Sequence, residues 1–401
     1  MANGTGAIEQ SLANRGCWLT ATQRLVLLFC IVTSTPCAAE TLKQALIGIF
    51  PGVLREDGAG LASVFSRTVA ASFPVTGTSS AYVYRFDPAS DSFQRLNVPL
   101  GPVFSERAAT VGRRKLSVAV NYLIAEYDSM NGQRLDAMLS SDPTKGGDHI
   151  TICASAVLCE PVAALAQLDL EAEIVTFSAT YGVTPDMDIS VSMPLIRTAL
   201  RASTTFTGPD PRLPGTATSF PFHFSTSTSE AATGPGDLLL RLKYVLTRSG
   251  AADLAAGLTV SMPTGDRDNF HGTGDTLIGA AIYASHTYAE RIEPHLNISF
   301  VADAAKLDRS QARYSAGVDL RTFDWLTLST DFLGRSDITR PDSINRPVFL
   351  QVERADVWQF STGAKVTPLR RTGLFFNAIL PLNEDGLRSN LVVTFGVEGV
   401  F

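Results

Sequence analysis

The chain closes on Asn390-Leu391-Val392-Val393-Thr394-Phe395-Gly396-Val397-Glu398-Gly399-Val400-Phe401. Counting back in twos from Phe401 gives Gly399, Val397, Phe395, Val393 and Leu391, apolar at every step but the glycine. The other register, Val400, Glu398, Gly396, Thr394, Val392 and Asn390, is small, polar or mixed. A period of two assigns the two faces of a strand to two environments, one greasy and one wetter. Leu391, Val393, Phe395, Val397 and Phe401 belong to the greasy face, and Thr394 and Glu398 to the other.

The same pattern recurs upstream. From about Lys115 onward, segments of alternating character follow one another, each roughly the 9–11 residues that a tilted membrane-spanning strand needs. Leu116, Val118, Val120, Tyr122 and Ile124 alternate with Ser117, Ala119 and Asn121. Met187, Ile189, Val191 and Met193 alternate with Asp188, Ser190 and Ser192, and Leu238 to Leu246 alternate with Arg241 and Lys243. Twelve such segments can be counted, the last being the closing strand.

The connections alternate too. Stretches around 128–170, 198–235, 264–275, 303–310 and 335–354 are long or intermediate, and those around 182–185, 249–252, 290–291, 322–324 and 368–372 are short. A transmembrane barrel sorts its loops by side, with short turns at one rim and long loops at the other. A soluble sandwich has no reason to do so. The fold expected is all-β: a transmembrane antiparallel β-barrel of 12 strands, or 14 if an upstream hairpin joins the wall.

Bulk composition agrees. Charged residues make up only 18% of the 401, yet no apolar run reaches the ~20 residues of a spanning helix. A barrel wall gives this composition, because only every second residue meets lipid. The net charge of −6 gives no basic footprint for nucleic acid.

Residues 1–39 read as a signal peptide. Arg15 and Arg24 precede the apolar core Leu25–Val32, and Cys37 and Ala39 suit cleavage before Glu40. Of five cysteines, Cys153 and Cys159 would remain in the mature chain. Two neighbouring cysteines in an exported protein suit a disulfide; two free thiols in a loop are the alternative. No histidine pair at ligand spacing accompanies them, so no metal or cofactor is expected.

Residues 40–112 stand outside the alternation. Thr41–Phe50 reads as a short helix ended by Pro51-Gly52. Tyr82–Phe86 and Phe93–Leu96 flank a turn at Asp87–Asp91. A twelve-stranded lumen is wider than one filled by side chains and narrower than an open porin. Residues 40–112 are therefore expected as a hatch inside the barrel formed by 113–401, with a periplasmic extension as the alternative.

Short motifs carry a resemblance. Gly101–Gly112, Tyr181-Gly182-Val183-Thr184, Gly236-Asp237-Leu238, Arg241-Leu242-Lys243-Tyr244 and Met262-Pro263-Thr264-Gly265-Asp266 resemble a group of outer-membrane transporters related to the phenol meta-pathway degradation-like family. That group is similar in architecture to the long-chain fatty-acid channels of the outer membrane. The resemblance implies a Gram-negative outer membrane and passive uptake of small hydrophobic or aromatic compounds. It also implies a role for Phe401 in recognition by the barrel-insertion machinery. A general diffusion pore or a purely structural barrel is the alternative.

Candidate site residues follow. Ile150, Ile152, Val157, Leu158, Val162 and Leu165 make the first long loop unusually apolar, which suits a ligand groove; a small loop core under Cys153 and Cys159 explains it equally. Asp237, Arg241, Lys243, Glu293, His295, Arg313, Asp319 and Glu398 fall on the inward register with mixed signs. Mixed signs suit contacts that hold a hatch better than an ion-selective ring. His295, Asn297 and Ser299 share one strand face, but Leu296, Ile298 and Phe300 take the lipid side, so no catalytic set is expected. Asp266, Asp268 and Asn269 could hold calcium, but a solvated loop is the better reading.

Overall fold

A computed structural model describes residues 40–72, 83–87, 92–96, 105–138, 150–153, 159–209, 221–248, 252–339, 355–369 and 372–401. The signal-peptide reading lies outside these residues.

Twelve antiparallel strands form the wall. They are β1 (Leu116–Tyr127), β2 (Cys159–Gly182), β3 (Met187–Pro209), β4 (Leu238–Arg248), β5 (Asp253–Met262), β6 (Leu277–Ser285), β7 (Ile292–Asp303), β8 (Gln311–Phe323), β9 (Leu326–Asp337), β10 (Asp356–Leu369), β11 (Thr372–Pro381) and β12 (Val392–Val400). Each pairs with its sequence neighbour, and β12 pairs with β1 from Val392↔Ala125 to Val400↔Ser117. The sheet thus has no free edge at membrane depth, as lipid requires. Leu116 and Phe401 exchange backbone hydrogen bonds of 3.1 and 2.8 Å and finish the seam. The hairpin Val83–Asp87 with Ser92–Leu96 forms its own two-stranded sheet, so the wall count is twelve.

The two faces divide as the alternation requires. Leu391, Phe395, Val397 and Phe401 are exposed, while Thr394 and Glu398 are buried. Around the ring, Ile189, Leu242, Leu258, Ile282, Ile298, Leu320 and Phe376 form an exposed apolar belt. Phe323 and Trp325 stack at the short-turn rim with ring centroids 5.6 Å apart. An apolar belt with rim aromatics on a closed barrel is a membrane-spanning surface.

Three sequence readings need correction. The stretches 159–170 and 198–209, read as loop, are strand: β2 and β3 run on together, paired as far as Ala163↔Thr207. A further strand, Pro221–Pro235, extends this sheet along β3. The misreading has a physical source. Beyond the membrane one face still carries Ala164, Ala166, Leu168 and Leu170, all buried, but the other carries Gln167 and Asp169 instead of lipid-facing side chains. The third correction is a missed helix. Besides α1 (Leu42–Gly48), an 18-residue α2 (Arg55–Ser72) precedes the barrel. Gly58 and Gly60 weaken its propensity, yet Leu61, Ala62, Phe65 and Val69 fall on one fully buried face.

α1 begins with a capping box in which Thr41 and Gln44 exchange side chain to backbone bonds of 3.3 and 3.2 Å. The two helices pack together, and Leu46, Ile49, Phe50, Leu61 and Phe65 form one core with inward wall residues such as Ala164, Leu168, Leu200 and Phe206.

Candidate lumen site

The helix pair docks at the long-loop end. Leu42 N donates to Asn269 Oδ1 at 3.1 Å, and Lys43 meets Asp268 at 2.8 Å. Ser66 Oγ reaches the carbonyls of Arg267 (3.0 Å) and Gly272 (3.2 Å), and Phe65 meets Phe270 edge-on at 6.4 Å. The receiving loop is built by motif residues. Asp237 accepts from Gly265 N (3.0 Å), Thr273 N (2.8 Å) and Thr273 Oγ1 (2.9 Å), and Thr264 Oγ1 donates to Gly236 O at 2.8 Å. The carboxylate of Asp237, placed by sequence among hatch contacts, is therefore committed to the wall's own loop. Asp266 likewise accepts from Asp268 N and Asn269 Nδ2. The loop is a set of internal hydrogen bonds that doubles as the helix dock.

At the short-turn end, residues 105–111 run along the inward face of the wall. Ser105 Oγ donates to Asp331 Oδ1 at 2.8 Å. Glu106 accepts from Arg241 and lies 3.4 Å from Lys243 Nζ. Lys243 also donates to the carbonyls of Arg107 (3.3 Å) and Ala109 (2.9 Å) and lies 3.9 Å from Asp188. Arg107 meets Glu293 at 3.4 Å. Ala108 N reaches Ser285 Oγ at 3.0 Å, Thr110 Oγ1 reaches Pro185 O at 2.6 Å, and Val111 N reaches Asp188 Oδ2 at 2.9 Å. Gly182 must be glycine where this strip turns into β1, because a Cβ there would sit 1.9 Å from Gly112 O.

The remaining inward charges are arranged across the wall. His295, Gly317 and Asp331 are register partners on β7, β8 and β9. A Cβ on Gly317 would lie 2.4 Å from Asp331 Oδ1 and 2.6 Å from His295 Nε2. The glycine thus opens the gap through which His295 Nε2 reaches Asp331 at 2.6 Å, with Asp319 3.8 Å from the other ring nitrogen. His295 is spent on these carboxylates, and Ser299 Oγ bonds Arg313 O at 3.3 Å instead. Glu398 meets Lys365 at 3.3 Å.

Between helices and strip lies a cavity of about 310 Å³. Leu123, Ile174, Ile196 and Leu239 line it on one side with Val69 and Ala70 of α2; Asn297, Ser299, Arg313 and Arg335 line it elsewhere. Its size falls in the range of small-molecule sites. Sequence reasoning missed the cavity's apolar wall, since Leu123 and Ile174 sit on the inward register where polar residues are expected.

The first-loop candidates are placed differently. Ile150 and Ile152 lie on a short strand, Ile150–Cys153, paired with β2 so that Ile150 faces Val162 and Cys153 faces Cys159. Val162 and Leu165 belong to β2 itself, and Leu165 is exposed. Val157 and Leu158 lie outside the described residues.

No family model matches the chain, and no curated protein matches it in sequence. Solved structures do match. The barrel is similar to outer-membrane channels. One from Pseudomonas putida F1 is 13% identical, with 73% of this chain and 98% of that chain covered and a TM-score of 0.46. A FadL homologue from Pseudomonas aeruginosa is 10% identical over 74% of this chain and 92% of its own, with a TM-score of 0.36. The toluene transporter TbuX of Ralstonia pickettii is 11% identical over 72% and 90%, with a TM-score of 0.37.

Proposed function

We propose that the protein is a Gram-negative outer-membrane channel for passive uptake of small hydrophobic or aromatic compounds, with residues 40–112 as its hatch. The observation that carries this reading is the lumen cavity. It is bounded by α2 toward the long loops and faced by the 105–111 strip toward the short turns, and one wall is apolar. A general diffusion pore needs an unobstructed aqueous lumen, and Glu106, tied to Arg241 and Lys243 inside the barrel, obstructs it. The names of the structural neighbours, among them a toluene transporter, agree with a hydrophobic cargo. In this reading Ile150, Ile152, Val162 and Leu165 belong to the outer surface over which solutes arrive, and Cys153 and Cys159 staple the end of that sheet.

Proteoliposome uptake tests the proposal. A labelled monoaromatic compound should enter protein-containing vesicles faster than empty ones, while planar bilayers show no steady large openings. Large ohmic openings with no gain in uptake would favour the diffusion pore.

A further inference from the structure

His271, in the loop between β5 and β6, lines the lumen cavity and is only 2% exposed. Its ring packs on the strand Pro221–Pro235, where a Cβ on Gly234 would lie 2.9 Å from Nδ1. The ring hydrogen-bonds the carbonyl of Ala232. Nε2 is buried without a hydrogen-bond partner among the described residues, so the bond to Ala232 belongs to Nδ1. A carbonyl only accepts, hence Nδ1 carries the proton. Burial pushes the ring below its ordinary titration range and favours its neutral form. A neutral ring protonated at Nδ1 has a lone pair at Nε2 and nothing there to donate. The outer strand thus fixes the tautomer, and with it the character of the unmet nitrogen.

Donors close in the chain or in the dock are committed elsewhere. Thr273 donates to Asp237 through N at 2.8 Å and through Oγ1 at 2.9 Å, and Ser66 Oγ is taken by the carbonyls of Arg267 and Gly272. Hydrocarbon lies beside them. A Cβ on Gly236 would meet Pro194 at 2.7 Å and Ile196 at 2.8 Å as well as His271 O at 3.1 Å. Pro194, Ile196, Leu239 and Leu277 line the cavity together with His271 and with Val69 and Ala70 of α2. A buried acceptor left unmet costs about 1–3 kcal/mol. Here that cost is recovered by a donor brought into the cavity.

We propose that His271 Nε2 is a specificity-determining acceptor of the cavity, so that the preferred cargo is a neutral hydrophobic compound bearing a hydroxyl group, its O–H donated to Nε2 and its apolar body against Pro194, Ile196 and Leu239. Nε2 itself is screened from water, and the hydroxyl reaches it by displacing side chains of α2 that share the lining. An ether, a ketone or a bare hydrocarbon has no proton to give and leaves the nitrogen unmet, which is how a site built around a hydrogen bond rejects analogues that cannot make it. The inference rests on the channel reading above and narrows its cargo from hydrophobic compounds at large to those that carry an O–H.

Calorimetric titration of the full chain in nanodiscs, corrected against empty nanodiscs, tests it with two isomers, phenethyl alcohol and benzyl methyl ether. Both carry a ring and an oxygen, and the alcohol alone has a donor. The alcohol should bind about tenfold more tightly, as recovery of one unmet buried acceptor implies. His271→Phe should bring the two affinities together. In the unaltered protein carrying isotope-labelled histidine, the Nε2 resonance of His271 should move upfield with the alcohol and stay in place with the ether, which decides the matter should the variant not fold. Equal binding of the two isomers by the unaltered protein overturns the proposal, as does an undiminished preference in a folded His271→Phe variant or an Nε2 resonance that ignores the alcohol; the channel reading survives any of these if vesicle uptake of a neutral aromatic hydrocarbon persists. Failure of both probes to bind, together with no uptake, removes both.

Discussion

Glu106→Gln is the perturbation that bears most directly on the proposed hatch. The carboxylate is almost fully buried and compensates two cations at once, the buried Lys243 and the largely buried Arg241. The amide keeps the shape and removes the charge. Breaking a buried pair by neutralising one partner costs about 3–5 kcal/mol, since the other charge stays buried without compensation. Here Asp188, 3.9 Å from Lys243, takes up part of that charge, which points to the lower end. About 3 kcal/mol shifts a two-state equilibrium between seated and released strip by roughly two orders of magnitude. The assay is single-channel recording in planar bilayers. Long open events, rare in the unaltered protein, should become frequent in the variant. A cysteine placed at Ala109, whose carbonyl Lys243 now holds, should react with a water-soluble thiol reagent much faster in the Glu106→Gln background. If both conductance and labelling rate stay at their original values in a folded variant, the strip does not depend on this charge pair and the reasoning fails.

Three further outcomes are expected. Gly317→Val should lower the thermal midpoint of the barrel, read by heat-dependent electrophoretic mobility, by an amount matching about 1–3 kcal/mol, because its side chain would displace the His295–Asp331 contact. Acidification should loosen the helix dock. Burial, partly offset by a hydrogen bond to Ala232 and by Asp266, pushes His271 below its ordinary 6.5, so the fold favours its neutral form. That stability is complete above pH 6.5 and is lost as pH falls toward the lowered folded value; hydrogen exchange in 266–273 should accelerate below pH 6.5, and His271→Gln should flatten the dependence. Finally, alkylation without prior reduction should leave Cys153 and Cys159 unmodified in the exported protein, since the register sets their backbones directly opposite; labelling of both would show free thiols.

The wall was legible because lipid imposes a rule with period two that each strand obeys locally. Ile298, Leu296 and Phe300 announce their side without reference to any other strand, and the loop rhythm supplies the count. The same locality explains the errors. Once β2 and β3 leave the membrane, lipid no longer dictates one face, so Gln167 and Asp169 read as loop although the strands continue. The helix Arg55–Ser72 hid behind two glycines because its stability comes from burying Leu61, Phe65 and Val69 against the barrel rather than from propensity.

The inward charges show where sequence stops. Register alone turned Arg241, Lys243, Glu293, His295, Arg313 and Asp319 toward the lumen. It could not say that Arg241 and Lys243 converge on Glu106 about 135 positions earlier in the chain, that Gly317 lets His295 cross to Asp331, or that Asp237 would be spent on its own loop. Nor could it bring Ile174 and Ile196 into one cavity with Arg313 and Arg335, because which strands share a lumen depends on how many close the ring. Alternation is a property of a chain in contact with its solvent, whereas pairing across a lumen is a property of the closed sheet.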